Sequence, residues 1–332
     1  MKTNANLFTY FLSRSMFLGG GISLMYLNSG KDTYISCILG ILIGIAIIYI
    51  FTYLIKNNPQ VINNIFFKIV YFTFLTFIIF ILLIILSTFI YSYFLPYTPA
   101  LFSCLPFIFL ATFLNTQKKR NIYYLATIFF VISIITITIK TSLLINEFQY
   151  TNILPILSTS PINIFKSSFI FACLSTTPFL LNIGENVSFK YSVKYYLISS
   201  LTILIIILTI TFVLGDLVKT FSYPEYAILR KIRFFKFIEN IENFISVSWF
   251  LDIFITISLA GYKLKEVFNT QNNYIPFGIT LFILFIVNKY ISSNFYVSIL
   301  IYKNFIYILI ALVTLLCFII FVTKPKKSNA IN

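Results

Sequence analysis

The sequence predicts an all-α integral membrane protein with about ten transmembrane helices. Of its 332 residues, 59% are hydrophobic and only 10% are charged, and the mean hydropathy is +0.96. These values exclude an ordinary soluble domain. Ten segments reach or approach the roughly 20 apolar residues that cross a bilayer core, and the loops between them are mostly short. We therefore expect a single polytopic membrane domain over residues 1–332.

The apolar runs place the helices along the chain. The predicted spans are 5–27, 33–55, 68–95, 99–116, 121–145, 163–188, 193–215, 239–262, 274–293 and 301–323. The first span is not expected to be a cleaved signal peptide, because its apolar run is long, contains Arg14 and has no small-residue cleavage site before the next span.

The charged residues predict the topology. The net charge is +15, but the basic residues are scattered over short loops and form no nucleic-acid motif, so no nucleic-acid partner is expected. The basic cluster at 118–120 and the lysines at 324–327 place both termini in the cytoplasm, although residues 230–236 also bring cations to the outer side. The sequence thus predicts a multi-pass protein of the cytoplasmic membrane, with the lipid bilayer as a partner.

The residues that most enzymes need are missing. The chain has no histidine, the commonest metal ligand and proton shuttle. It contains no phosphate-binding glycine motif, and its four cysteines lie far apart inside predicted spans. We predict that the protein is not an enzyme and has no cofactor and no metal site.

The ten spans divide into five and five, and the span that opens each half is interrupted. The first contains LGGG at 18–21, and the sixth contains STTPFLLNIGEN at 175–186. Unwound backbone survives in hydrocarbon only where protein, water or a ligand satisfies its polar groups. Breaks at corresponding positions of two halves indicate inverted repeats around a ligand site. We therefore predict a 5+5 inverted repeat with broken helices 1 and 6. The candidate ligand-binding residues at the breaks are Leu18, Gly19, Gly20, Gly21, Ser175, Thr176, Thr177, Pro178 and Phe179.

Each interruption also has a plainer explanation. Glycines cost roughly 1 kcal/mol each relative to alanine in a helix interior, but they also let two helices cross closely. Pro178 removes a backbone donor, and the hydroxyls at 175–177 are able to bond freed carbonyls or a substrate, yet a proline kink needs no ligand. Both pairs of alternatives remain open from the sequence.

Three stretches carry a resemblance to a known family. They are MFLGGGISLMYLNSGKDTYISCILGILIGIAIIYIFTYLIKNNP at 16–59, TNILPILSTSPINIFKSSF at 151–169 and FSYPEYAILRKIRFFKFIENIENFISVSWFLDIFITISL at 221–259. In order and spacing they resemble the endospore germination permeases, the B subunits of spore germinant receptors, within the amino acid–polyamine–organocation superfamily. The resemblance implies a permease-like subunit in the inner spore membrane. Such a subunit binds a small germinant such as an amino acid at the bundle centre, together with receptor A and C subunits.

Two points of the resemblance stay open. Family members often carry Phe-Gly-Glu in the broken sixth helix, whereas here the only such Gly-Glu pair is Gly184-Glu185. Either Glu185 takes that position, or the break lies at 175–179 and Glu185 caps the cytoplasmic end; the second is preferred because little chain remains before the end of span seven. The alternative function is an autonomous amino-acid or cation-coupled secondary transporter of the same superfamily. Uptake by the chain alone would distinguish the two.

Two charged residues inside apolar runs are further candidates, since such residues are costly in a membrane. Asp252 lies midway along span eight, and Ser248 and Thr256 at i−4 and i+4 make a polar stripe with it. The aspartate is expected either to bind a ligand ammonium or cation, or to pair with a lysine or arginine of the bundle. Arg14 is expected to snorkel to the cytoplasmic face or, as a gate residue, to pair with Glu185. Lys140, near the outer end of span five, is expected to snorkel as well.

Overall fold

The computed structural model describes residues 14–17, 20–57, 59–117, 119–181, 189–232, 241–269, 272, 274–290 and 295–322. Within these ranges every regular element is helical. Residues 14–17 are helical. The α-helices that follow are α1 (Gly21–Ser29), α2 (Thr33–Asn57), α3 (Ile65–Tyr93), α4 (Ala100–Thr116), α5 (Lys119–Leu144), α6 (Pro161–Leu181), α7 (Phe189–Leu214), α8 (Pro224–Leu229), α9 (Ile241–Val267), α10 (Tyr274–Tyr290) and α11 (Phe295–Val322). Short 3-10 turns lie at Gly30–Asp32, Pro59–Asn63, Ile145–Glu147, Tyr150–Ile153 and Gly215–Thr220.

Five helical segments in the described ranges are long and apolar enough to cross a membrane. They are Gly21–Lys56, Ile65–Tyr93, Tyr124–Glu147, Phe189–Thr220 and Ser246–Val267. Shorter apolar helices lie at Leu101–Thr116, Tyr274–Tyr290 and Tyr307–Val322. The helices are compatible with the predicted all-α, multi-pass membrane protein. The count of ten spans, the single domain, the inverted repeat and the orientation of the termini stay predictions.

Helix α3 is surrounded by other helices over residues 81–90. It begins at Asn64, whose side chain accepts a hydrogen bond from the backbone N–H of Phe66 at 2.9 Å and so caps the helix. Every residue from 81 to 90 is buried, because α3 packs against α4, α9, α10 and α11. A helix that is apolar on all sides belongs in such a surrounded position.

Helix α2 packs against α6 and α7 through two glycines spaced four residues apart, Gly40 against α6 and Gly44 against α7. A Cβ at Gly40 would lie 2.8 Å from the carbonyl oxygen of Ser168, and one at Gly44 would overlap the hydroxyl of Tyr196 on α7. Tyr196 also shares a 3.0 Å hydrogen bond with Ser175 on α6. Small residues at this spacing let helix backbones approach closely, so α2, α6 and α7 meet at one tyrosine hydroxyl.

Asp32 fixes the turn between α1 and α2. Its buried carboxylate accepts four hydrogen bonds from residues 157–159: two from backbone N–H groups at 2.8 Å and two from the hydroxyls of Ser158 and Thr159 at 3.2 and 2.8 Å. Beside it, Lys31 donates to the carbonyl of Leu154 and pairs with Asp216 at 2.8 Å. These contacts join the α1–α2 turn, the α5–α6 connection and the segment after α7 at one end of the bundle, called below the Asp32 end.

Candidate functional site

The first helical segment is interrupted at the predicted glycines. Residues 14–17 are helical, Gly20 has non-helical dihedral angles (φ −146°, ψ −44°), and α1 begins at Gly21. Leu18 and Gly19 lie outside the described residues. A Cβ on Gly21 would come within 2.9 Å of the Leu174 side chain and 3.1 Å of the Met16 carbonyl. The glycines therefore coincide with a break in the helix and also permit a close crossing with α6.

The predicted break at 175–179 is wrong, because α6 continues as a helix from Pro161 to Leu181. The hydroxyls of Ser175 and Thr176 donate to the carbonyl of Ala172 at 3.2 and 2.7 Å. Thr177 donates to the carbonyl of Cys173 at 2.7 Å. These bonds run back along the same helix, as threonine and serine commonly do in helix interiors, and the helix accommodates Pro178 without unwinding.

The remaining candidates of the sixth span have other positions. Phe179 is buried and packs edge-on against Phe51 of α2, with ring centroids 6.3 Å apart. Glu185 and Gly184, the alternative position for the break, lie outside the described residues. In α6, therefore, the hydroxyl and aromatic candidates pack within the helical core.

Arg14 and Asp252 form an ion pair inside the bundle. The Nε of Arg14 lies 3.0 Å from Oδ2 of Asp252, and the two side chains are only 2% and 1% exposed. Arg14 Nη2 donates to Ser248 at 3.1 Å, and Ser15 shares a 2.8 Å hydrogen bond with Thr256. The polar stripe of α9 thus faces the first helical segment. Of the two roles expected for Asp252, the structure shows the pairing with an arginine of the bundle.

Two expectations about cations are corrected by this packing. Arg14 does not snorkel to a membrane face, because the segment 14–17 lies against α9 and Arg14 pairs with Asp252. The expected partner Glu185 lies outside the described residues, so a contact between Arg14 and Glu185 stays a prediction. Lys140 is also buried rather than snorkelling. It lies near the end of α5, but the short helix α8 packs against α5, α7 and α9 and covers that end.

Helix α8 brings a second acidic side chain to the site. Pro224 begins this helix, and the next residue, the buried Glu225, lines a cavity with Arg14 and Lys140. Lys140 interacts electrostatically with Arg14, Glu225 and Asp252, and its Nζ lies 6.0 Å from the ring centroid of Trp249. Among the described residues, two cations and two anions therefore share one buried region, and their formal charges cancel.

A tyrosine attaches α8 to the centre of the bundle. The hydroxyl of Tyr223, directly before α8, lies 2.6 Å from the hydroxyl of Thr88 on α3. Burial raises the pKa of Tyr223 above its ordinary value, so the phenol stays protonated and able to donate. Tyr223 thereby holds Glu225 over the site.

The cavity at this site is small, and three of its eight lining residues carry hydrogen-bond donors. Its lining residues are Arg14, Phe17, Ile22, Lys140, Ile203, Ile206, Glu225 and Trp249. The volume open to water is about 10 Å³, close to the minimum for one water molecule. Among the described side chains, Arg14 Nη1 and Trp249 Nε1 are buried without a hydrogen-bond partner. Such atoms are costly unless a ligand or water meets them.

The two sides of the Gly20 break are anchored to different helices. Before the break, Arg14 and Ser15 bond to α9. After it, Tyr26 donates to the carbonyl of Ile207 on α7 at 2.7 Å, Ser167 of α6 donates to the carbonyl of Met25 at 3.3 Å, and Ser23 donates to the carbonyl of Ser222 at 2.7 Å. The break is therefore a point at which two differently anchored segments meet.

Sequence reasoning missed several residues of this region. Glu225 follows Tyr-Pro in a loop, where an acid is ordinarily solvated, and Trp249 occurs inside an apolar run where it resembles a core residue. Gly40 and Gly44 did carry a signal, the small-xxx-small spacing. Arg14 and Asp252 are 238 residues apart in the chain, so their pairing depends on the tertiary fold.

The chain matches no protein-family model and no protein of curated function. Within the described residues no group of three histidine, cysteine or acidic side chains is arranged to hold a metal ion.

Proposed function

We propose that this protein is the permease-like subunit of a spore germinant receptor, which binds a small zwitterionic germinant such as an amino acid beside the broken first helix. The observation that supports the proposal is the buried Arg14–Asp252 pair at the break, together with Arg14 Nη1 and Trp249 Nε1, which have no hydrogen-bond partner. An intramembrane ion pair of this kind is expensive and is typical of ligand or ion sites.

The chemistry suits a molecule with one carboxylate and one ammonium group. A carboxylate is able to accept from Arg14 Nη1 and from the first N–H groups of α1, which have no partner within the helix and lie at its positive end. An ammonium is able to pair with Asp252. Because the formal charges of the site cancel, a zwitterion adds no net charge to a region of low dielectric constant.

The structure represents a closed state in this proposal. A cavity of about 10 Å³ does not admit an amino acid, so binding requires the segment 14–17 and α1 to separate at Gly20. Ligand binding then favours the opened arrangement only to the extent that the ligand has a higher affinity for it. In a receptor, that population shift is the signal passed to the A and C subunits.

The three stretches that resemble the germination permeases are neighbours in the fold, which supports the family assignment. Asp32 of the first stretch binds residues 157–159 of the second. Glu225 of the third lines the cavity with Ile22 of the first. The proposed place of action is the inner spore membrane, with both termini in the cytoplasm.

The proposal is tested with the chain reconstituted in proteoliposomes, alone and with its A and C subunits, and a panel of the twenty radiolabelled amino acids. We expect saturable binding of at least one amino acid, reduced at least tenfold by Arg14→Met and by Asp252→Asn. Lys194→Met, which removes an exposed cation on α7, is the matched control and should bind normally.

Two kinds of result would contradict the proposal, one the ligand site and the other the receptor role. Absence of binding in all preparations, or equal binding by the Arg14→Met and wild-type proteins, would overturn the site. Accumulation of an amino acid inside vesicles that contain the chain alone would establish the autonomous transporter instead of the receptor subunit.

A further inference from the structure

The connection between α5 and α6 is unusually apolar for a loop. No charged residue occurs between Glu147 and Lys166. Within it, Leu154, Ile156 and Leu157 are all exposed, Leu157 at 65%. A loop in water ordinarily carries polar and charged residues, and neighbouring exposed aliphatic side chains mark a contact surface.

This apolar surface is held in a fixed shape. Leu157 has a positive φ of 59°, which is uncommon for a residue other than glycine. Its backbone N–H donates to Oδ1 of Asp32, and the N–H of Thr159 donates to Oδ2, both at 2.8 Å. Lys31 donates to the carbonyl of Leu154. The side chains at 154–157 are thus presented outward by bonds to the α1–α2 turn.

The same surface continues onto α6. Ile162, Phe165 and Phe169 are exposed, and their spacing of three and then four residues places them on one face of the helix. Lys166, in the second turn, is exposed among them. An apolar helix face with a long cation at its end is typical of a helix that meets lipid at the headgroup boundary.

We infer that residues 154–157 lie in the headgroup–acyl boundary of the leaflet at the Asp32 end and contact lipid. The uncharged composition and the continuity with the exposed face of α6 favour lipid over a protein partner. The exposed Lys166 and Lys219 near this loop complement anionic phosphate groups. The contact adds a lipid surface to the molecule, independently of any ligand at the central cavity.

The inference is tested by tryptophan fluorescence in liposomes. The chain has one tryptophan, Trp249, which is buried, so wild-type protein supplies the background. Leu157→Trp and Ile156→Trp are each placed in vesicles with lipids brominated near the headgroup or deep in the acyl chains. Tyr97→Trp, at a 96% exposed position of the α3–α4 connection, is the comparison variant.

We expect shallow bromolipids to lower the added emission of both loop variants at least twofold, deep bromolipids to lower it less, and aqueous iodide to have little effect. The Ile156→Trp variant keeps the test valid if tryptophan is not tolerated at the positive φ of Leu157. Quenching by iodide without quenching by bromolipid would put the loop in water and overturn the inference. Quenching by neither agent would indicate a protein contact and would overturn it as well.

Discussion

The ion pair between Arg14 and Asp252 gives the sharpest prediction about stability. Its side chains are 2% and 1% exposed, so water screens neither charge. Removing one partner of a buried pair typically costs about 3–5 kcal/mol, because the other charge is left buried and unpaired. We therefore expect Asp252→Leu and Arg14→Met each to lower the free energy of unfolding by about 3–5 kcal/mol. The free energy of unfolding of the double variant should be near or above that of the wild-type protein, since two apolar side chains replace both charges.

The assay is reversible unfolding in mixed micelles by sodium dodecyl sulfate, followed by far-ultraviolet circular dichroism. The four proteins form a double-mutant cycle, which isolates the coupling between the two side chains. Asp216→Asn is the control, because Asp216 pairs with Lys31 but is 73% exposed, and exposed pairs contribute less than about 1 kcal/mol. If the losses of the two single variants simply add in the double variant, the pair does not exist as described.

Three further predictions concern the residues that shape the bundle. Gly44→Ala should destabilise the protein by about 1–3 kcal/mol in the same assay through overlap with the hydroxyl and Cζ of Tyr196. The same substitution should cost much less in a Tyr196→Ala background, and an equal cost there would contradict the packing. Asp32→Ala should cost at least about 3 kcal/mol and expose residues 154–160 to protease, since each hydrogen bond to a charged group contributes about 1.5–3 kcal/mol. Unchanged protease resistance would mean that the loop is held otherwise. Gly20→Leu should abolish ligand response while the protein still elutes as a folded species, and unchanged ligand sensitivity would refute a site at the break.

The parts of the structure that depend on local pattern were predictable from sequence. Apolar runs locate helices because the bilayer thickness sets their length. The stripe of Ser248, Asp252 and Thr256 follows from the helical period, and its polar contacts with Arg14 and Ser15 lie on the face that the period defines. The break at Gly20 falls in the run of three glycines, which disfavour a helix interior.

The parts that depend on tertiary structure were not predictable. A proline in a helix gives the same local signal whether the helix breaks or continues, and here hydroxyl bonds to the carbonyls of Ala172 and Cys173 accompany a continuous helix. Lys140 lies near a helix end, where a lysine usually reaches water. The return of α8 over that end, together with the packing of α7 and α9, makes the position internal, and nothing in the local sequence of α5 records it.

The shared hydroxyl of Tyr196 has a mechanical consequence. Because one oxygen contacts Ser175 and lies against Gly44, the helices α2, α6 and α7 meet without room to slide past one another. We therefore expect α2, α6 and α7 to keep their relative positions during a conformational change. The movement should occur at the break at Gly20. A covalent crosslink between α2 and α6 should then leave the conformational change unaffected. A crosslink that spans Gly20, from the segment 14–17 to α1, should prevent it.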